Sequence, residues 1–197
     1  MPSTYEIRAD FDSQSIVVYQ AYPEQIALAA IKNQTFEAPF SFTRMTWIKP
    51  SFLWLMERSN WAQKSGQEHI LAIRISRAGW EKALQEGVLT SPEKRVYSDG
   101  QIWRELFEQA KVHIQWDPER SLRGQKLDYS SIQVGISRYL IEEFVREWIL
   151  EIKDYTPLTR KVHNLCKAGK YEQAKRFLPS EKRYELSDKL KKQIGAS

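Results

Sequence analysis

Two stretches of the chain carry the two-residue alternation of β-strands. In His69–Ser76, Ile70, Ala72 and Arg74 fall on one face and Leu71, Ile73 and Ile75 on the other. The strand is apolar on both faces toward its middle and reads as interior. Ser15–Tyr22 contains Ile16-Val17-Val18-Tyr19, β-branched and aromatic as a pleated backbone favours. A strand over Tyr5–Phe11 precedes it, with Asp12-Ser13-Gln14 as the turn. Further strands are expected over Val112–Trp116, ending at a turn on Asp117-Pro118, and over Tyr129–Gly135.

Other segments carry helical spacing. Ile26, Ala27, Ala30 and Ile31 predict a helix over Glu24–Asn33, started by Pro23. Pro50 sets up a second over Ser51–Trp61, and shorter ones follow over Trp80–Glu86 and Gln101–Ala110. Thr35–Thr43 reads as an aromatic loop and Leu89–Gly100 as a polar surface loop. Ile141, Phe144, Val145, Trp148, Ile149 and Ile152 make one stripe and predict a single helix over Arg138–Ile152. Beyond Pro157, helices near Leu158–Ala168 and Tyr171–Phe177 are joined at Gly169, a natural left-handed cap. Strands and helices interleave without a βαβ rhythm, which favours the α+β class. The expected architecture is a split, mostly antiparallel sheet flanked by helices, with a C-terminal helical hairpin. Residues 1–156 form the core with a ligand cleft, and residues 157–197 pack on it.

Charge changes this picture in one place. The net charge is +5, yet residues 157–197 hold 11 Lys and Arg against 4 Asp and Glu. The basic character belongs to that tail, which would suit nucleic acid or an acidic partner. Its blander reading is a solvated helical surface. No apolar run is long enough for a membrane helix, so no membrane partner is expected. Met1–Arg8 has no apolar stretch of the secretory kind. The single Cys166 cannot close an internal disulfide, and a reducing, cytoplasmic setting is the simplest expectation.

Candidate chemistry concentrates in three clusters. The richest is Arg44-Met45-Thr46-Trp47-Ile48-Lys49-Pro50-Ser51-Phe52-Leu53-Trp54, with Arg58 and Trp61 beyond. Tryptophans offer stacking faces and the interleaved cations offer charge for phosphate or carboxylate. Arg44, Thr46, Trp47, Lys49 and Ser51 are the residues expected to bind a ligand, since they lie before or at a helix N-terminus. Trp54 is expected in the core. The second cluster joins Arg8 to Tyr19 and Gln20, and its plainer role is an edge-strand charge. The third is Gln115-Trp116-Asp117-Pro118-Glu119-Arg120 with Arg123, where Trp116, Asp117 and Arg120 are the ligand candidates, with Gln133 on the following strand. These would line the same cleft; otherwise they form a turn with ordinary ion pairs. No metal is expected, because His69, His113 and His163 lack ligand spacing. Cys166, with His163 three residues before it, sits on an amphipathic helix where thiols are ordinarily inert. Neither a nucleophile-elbow pattern nor a glycine-rich phosphate loop occurs.

These same residues carry a resemblance. Ile7-Arg8-Ala9, Val18-Tyr19-Gln20-Ala21-Tyr22, the Arg44–Trp54 run, Leu71-Ala72-Ile73, Gln115–Arg120 and Ser131–Gly135 resemble a family known only as a domain of unknown function, DUF4291. The likeness covers nearly the whole chain and implies no activity. A remoter similarity joins Tyr5–Asp10 to the first strand of arginine-type ADP-ribosyltransferases. That resemblance implies a split sheet gripping NAD, with Arg8 holding the dinucleotide. A glutamate is expected on the last core strand, where this chain has Gln133. A glutamine orients a ribose hydroxyl but cannot act as a general base.

The functional expectation is therefore a nucleotide-binding protein, with NAD as the cofactor suggested by resemblance and an ADP-ribosyltransferase-like reaction on an unnamed acceptor. The alternative is a non-enzymatic RNA- or DNA-binding module that uses aromatic stacking and the basic tail at 157–197.

Overall fold

The computed structural model describes residues 4–197. It has the α+β architecture, built on three sheets. The first pairs β1 (Arg8–Ala9) with β9 (Lys182–Arg183). The second runs in the order β2 (Ser15–Tyr22), β4 (His69–Ser76), β8 (Ile149–Asp154). The third has the order β3 (Thr46–Ile48), β7 (Lys126–Ile136), β6 (Val112–Arg120), β5 (Gly87–Leu89). All named pairings are antiparallel except β5 with β6.

The larger sheets enclose the main core. Ile16, Val18, Leu71, Ile73 and Ile75 come from one, and Val112, Ile114, Ile132, Val134 and Ile136 from the other. Helix α3 (Arg77–Gln85) touches both sheets and drives Trp80, wholly buried, into the same core. Full burial of an isoleucine or valine side chain of this core contributes about 1.5–3 kcal/mol. The opposite face of β2 and β4 carries Val17, Tyr19, Ile70 and Ala72. It packs on Phe52, Leu55 and Met56 of α2 (Phe52–Ser59). The central strands are thus covered on both sides, as their apolar pattern requires.

Several elements fall where the pattern puts them: β2, β4, α1 (Glu24–Asn33), and the long helix of the C-terminal hairpin, α6 (Thr156–Lys167), which turns at Gly169 (φ +72°) into α7 (Tyr171–Lys175). Helix α4 (Gly100–Gln109) also matches its segment.

Three expectations are corrected. The stripe over Arg138–Ile152 is not one helix. Helix α5 (Ile141–Glu143) continues as a π-helical turn over Phe144–Trp148, and the chain then extends as β8. There Ile152 pairs with Ile73 and Ile149 with Ile75. A free edge on β4 outweighs the helical spacing of two β-branched residues. The strand over Val112–Trp116 does not stop at Asp117-Pro118 but runs to Arg120, with a register irregularity between Pro118 and Arg120. That irregularity absorbs the proline, which cannot donate to the ladder.

The third correction concerns the early hairpin. Of Tyr5–Phe11, only Arg8–Ala9 forms a named strand, and its partner is β9 rather than β2.

The basic tail is woven into the body. Tyr184, Leu190 and Ile194 belong to the main core, the last two on α8 (Asp188–Ile194). The Ser197 N–H donates to the Tyr5 carbonyl at 2.9 Å. Among the described residues, no helix is long and apolar enough to cross a membrane.

Candidate functional site

The two larger sheets meet where β3 ends. The Tyr19 N–H donates to the Lys49 carbonyl at 2.7 Å, tying β2 to the residue just past β3. Pro50 and Ser51 follow, and the Ser51 hydroxyl accepts the Trp54 N–H at 3.1 Å to cap α2. The chain therefore turns from strand to helix within a few residues. Between α2 and the outer face of β3, β7 and β6 it leaves an open cavity of about 730 Å³. Ligand cavities of small molecules span roughly 300–1,000 Å³.

One wall is aromatic. Trp47 and Trp54 both line the cavity. Trp47 lies opposite Gly135 across the β3–β7 pair. A Cβ at Gly135 would come within 2.8 Å of the Met45 sulfur and 2.9 Å of the Trp47 ring. Glycine is what lets that indole lie against the strand.

The floor is polar and fixed. Gln115 and Gln133 are register partners on β6 and β7. Their side-chain amides converge on Asp117, Gln115 donating to one carboxylate oxygen at 2.9 Å and Gln133 to the other at 2.7 Å. A carboxylate has about four lone-pair sites, so this one is oriented and still able to accept from a ligand.

The remaining lining is charged. Lys49, Arg58, Arg120 and Lys126 face Glu57 and Asp117, an excess of positive charge. Arg120 lies 3.6 Å from Glu57 and reaches the Gly124 carbonyl at 3.4 Å, and its buried Nε has no partner among the described residues. Lys49 is only 9% exposed, and its amine donates to the Trp47 carbonyl at 2.9 Å. Burial lowers its pKa to about 7; Arg58 pushes the same way, and Asp117 opposes.

Of the residues expected from sequence to bind a ligand, Trp47, Lys49, Asp117, Arg120 and Gln133 come together here. The others lie elsewhere. Arg8 pairs with Glu6 at 2.9 Å and contacts the Glu181 carbonyl at 3.4 Å, outside the cavity. Tyr19 is wholly buried against Phe52 and Tyr155. Gln20 donates to Thr46 at 2.6 Å and to the Trp47 carbonyl at 3.0 Å, and the Tyr22 hydroxyl lies 3.0 Å from Thr46. This buried network holds β3 against β2 and supports the cavity from behind. Arg44 is exposed and does not line it. Ser51 acts as the helix cap.

Trp116 faces away from Asp117, as adjacent strand residues must. Its indole N–H donates to the Ile194 carbonyl at 2.8 Å. Trp54, expected in the core, lines the cavity instead. Gln115 opens the run that carries Asp117 and Arg120; Glu57 and Lys126 also line the cavity. Two-residue alternation from Asp117 points to Gln115; nothing local marks the other two.

Behind the helix start lies a second ionisable group. Glu181 accepts the Phe52 N–H at 2.7 Å, a carboxyl placed on the N-terminus of α2. Burial raises its pKa to about 8; the Phe52 N–H opposes, and nearby Glu119 reinforces the rise. Glu119 is itself buried and raised, chiefly by desolvation, with its hydrogen bonds from the Arg120 N–H, Ser51 and Ser131 pulling the other way.

Against known proteins, no curated protein matches the chain. A family model described as Domain of unknown function (DUF4291) matches residues 6–184, and the chain belongs to that family.

Proposed function

We propose that this DUF4291 chain binds a nucleotide in the cavity between α2 and β3, β7 and β6. The observation that carries the reading is the convergence of three kinds of group on one cavity. Trp47 and Trp54 supply faces for a base, Arg58, Arg120 and Lys126 supply charge for phosphates, and Asp117 presents a fixed carboxylate to ribose hydroxyls. NAD, with two ribose units around a pyrophosphate, is the first specific ligand to test. An ADP-ribosyltransferase-like reaction would draw on Asp117 and Gln133 for ribose positioning, since Arg8 is turned toward Glu6 and Glu181. Cleavage of a glycosidic bond builds positive charge on the sugar, so a fixed carboxylate nearby favours it.

Calorimetric titration with NAD, ADP and ATP tests this. Saturable binding is expected in the wild type, weakened at least tenfold in Trp54→Ala and Arg120→Ala and unchanged in Arg8→Ala. Absence of binding by all three ligands to the wild type would overturn the reading.

A second reading, a single-stranded nucleic-acid module, is favoured by one feature. Beyond Glu57 a smaller cavity of about 360 Å³ is lined by Trp61, His163, Arg123 and Tyr171. Trp61 stacks on His163 with 5.1 Å between ring centroids, and the Arg123 guanidinium lies over Tyr171. Such platforms beside cations suit successive bases. A steep fall of oligonucleotide affinity with salt would favour this reading, because several phosphates would then be neutralised at once. Removal of residues 157–197 cannot serve as the test, since Tyr184, Leu190 and Ile194 complete the core.

A further inference from the structure

We propose that Lys49 is a nucleophile, whose amine condenses with the carbonyl of an anionic aldehyde or ketone to form an imine within the cavity. The inference goes beyond nucleotide binding, though it rests on the same cavity.

The geometry is specific. Lys49 follows directly on β3, its backbone held by Tyr19 and its continuation fixed by Pro50 and the Ser51 cap. The side chain lines the cavity and is 9% exposed. Among the described residues its amine has a single hydrogen-bond partner, the Trp47 carbonyl, with the Trp54 ring centroid 5.8 Å away. The carboxylate whose charge acts on it, Asp117, has an oxygen engaged by each of two glutamine amides. An ammonium has three donors to satisfy. A neutral amine has two and keeps a lone pair, which this setting suits better.

Burial and a neighbouring cation are the two circumstances that activate a lysine for carbonyl chemistry. Arg58 on α2 supplies the cation, and burial holds the amine near neutrality at about pH 7. The charged groups around it are Glu57 and Arg58 from α2, Asp117 and Arg120 from β6, and Lys126 from β7. The cations among them would hold the anionic part of the substrate.

The step balances without an oxidant or a further reactant. The Nζ lone pair bonds to the carbonyl carbon, the two amine protons pass to the carbonyl oxygen, and that oxygen leaves as water as the carbon–nitrogen double bond forms. A ring-opened sugar phosphate is the substrate class nearest to the nucleotide reading.

The test uses the full-length protein with pyridoxal 5′-phosphate and ribose 5-phosphate in separate arms near neutral pH, followed by borohydride reduction and peptide mass spectrometry. The expected product is one dominant adduct on Lys49, its mass gain equal to that of the aldehyde less one oxygen atom. Ordinary surface lysines stay protonated at that pH. Lys49→Arg should lose the adduct, with folding checked by thermal unfolding.

The adduct rate should level off roughly one pH unit above 7, where the amine is mostly neutral. A surface lysine would go on gaining rate toward pH 10. Labelling of the wild type spread over surface lysines, or none at Lys49 in either arm, overturns the proposal. Nucleotide binding without an adduct would sink this inference alone, and an adduct without nucleotide binding would sink the other alone.

Discussion

Lys49 and Glu181 flank the same helix start, Lys49 buried and Glu181 half-buried, and the fold treats them differently. Glu181 has a partner inside the protein, the Phe52 N–H at 2.7 Å. Lys49 has one backbone carbonyl and the face of Trp54, 5.8 Å from its amine, and otherwise borders the cavity. Burial pushes each toward its neutral form, Glu181 up to about 8 and Lys49 down to about 7. The difference teaches where to look for function. A buried charge whose bonds are met by the fold is part of the structure, whereas one left facing a cavity is kept at a cost and is free to meet a ligand.

The largest effect expected from this contrast is a gain. Lys49→Met removes an amine that costs stability and keeps its volume, so the variant should be more stable by a few kcal/mol at acidic and neutral pH. The sign follows from proton counting. Between about pH 7 and 10.5 the unfolded chain holds the Lys49 proton and the folded one does not, so wild-type stability rises with pH through that window. The gain from methionine should shrink accordingly, as denaturant unfolding at several pH values would show. A loss of stability in Lys49→Met would erase the distinction.

Glu181 should behave in the opposite way. Glu181→Ala leaves the Phe52 N–H without its acceptor and is expected to cost about 1–3 kcal/mol. Between about pH 4.5 and 8 the folded chain holds the Glu181 proton and the unfolded one does not, so this group makes stability fall as pH rises. Glu181→Gln cannot ionise and should remove that slope, measurable by thermal unfolding across the range.

Gln133→Leu is a smaller perturbation. It takes one amide from Asp117, costs about 1 kcal/mol in stability, and should weaken nucleotide binding about tenfold, equivalent to about 1.4 kcal/mol. The smallest effect belongs to Arg8→Ala. Its ion pair is partly exposed, and Glu6 keeps Arg183 at 3.6 Å. A change within about 1 kcal/mol is expected, with ligand affinity unaltered in the same titrations.

How far the sequence foretells this molecule depends on the range of the interaction. Strand β4 and helix α1 are legible because their own apolar pattern suffices. Strands β3, β5 and β9, two or three residues each, exist through partners far along the chain and carry no local mark. Residues 149–154 have a helical mark that a distant edge overrides. The cavity divides in the same way. Trp47, Lys49, Asp117, Arg120 and Gln133 stand out as aromatic, cationic and amide groups in suggestive runs. Alternation along β6 already separates Trp116 from Asp117. By contrast, Glu181 is one glutamate in a basic tail until the fold sets it against α2.

That placement sets a schedule. Every side chain lining the cavity lies between residues 21 and 133, but the groups that brace its surroundings, Glu181 on α2 and Ile194 on Trp116, belong to the end of the sequence. A chain growing on the ribosome therefore carries the complete chemical inventory of the site long before it can hold α2 in place. The site matures late, and a product stalled before residue 181 would present Lys49 and its neighbours without the frame that positions them.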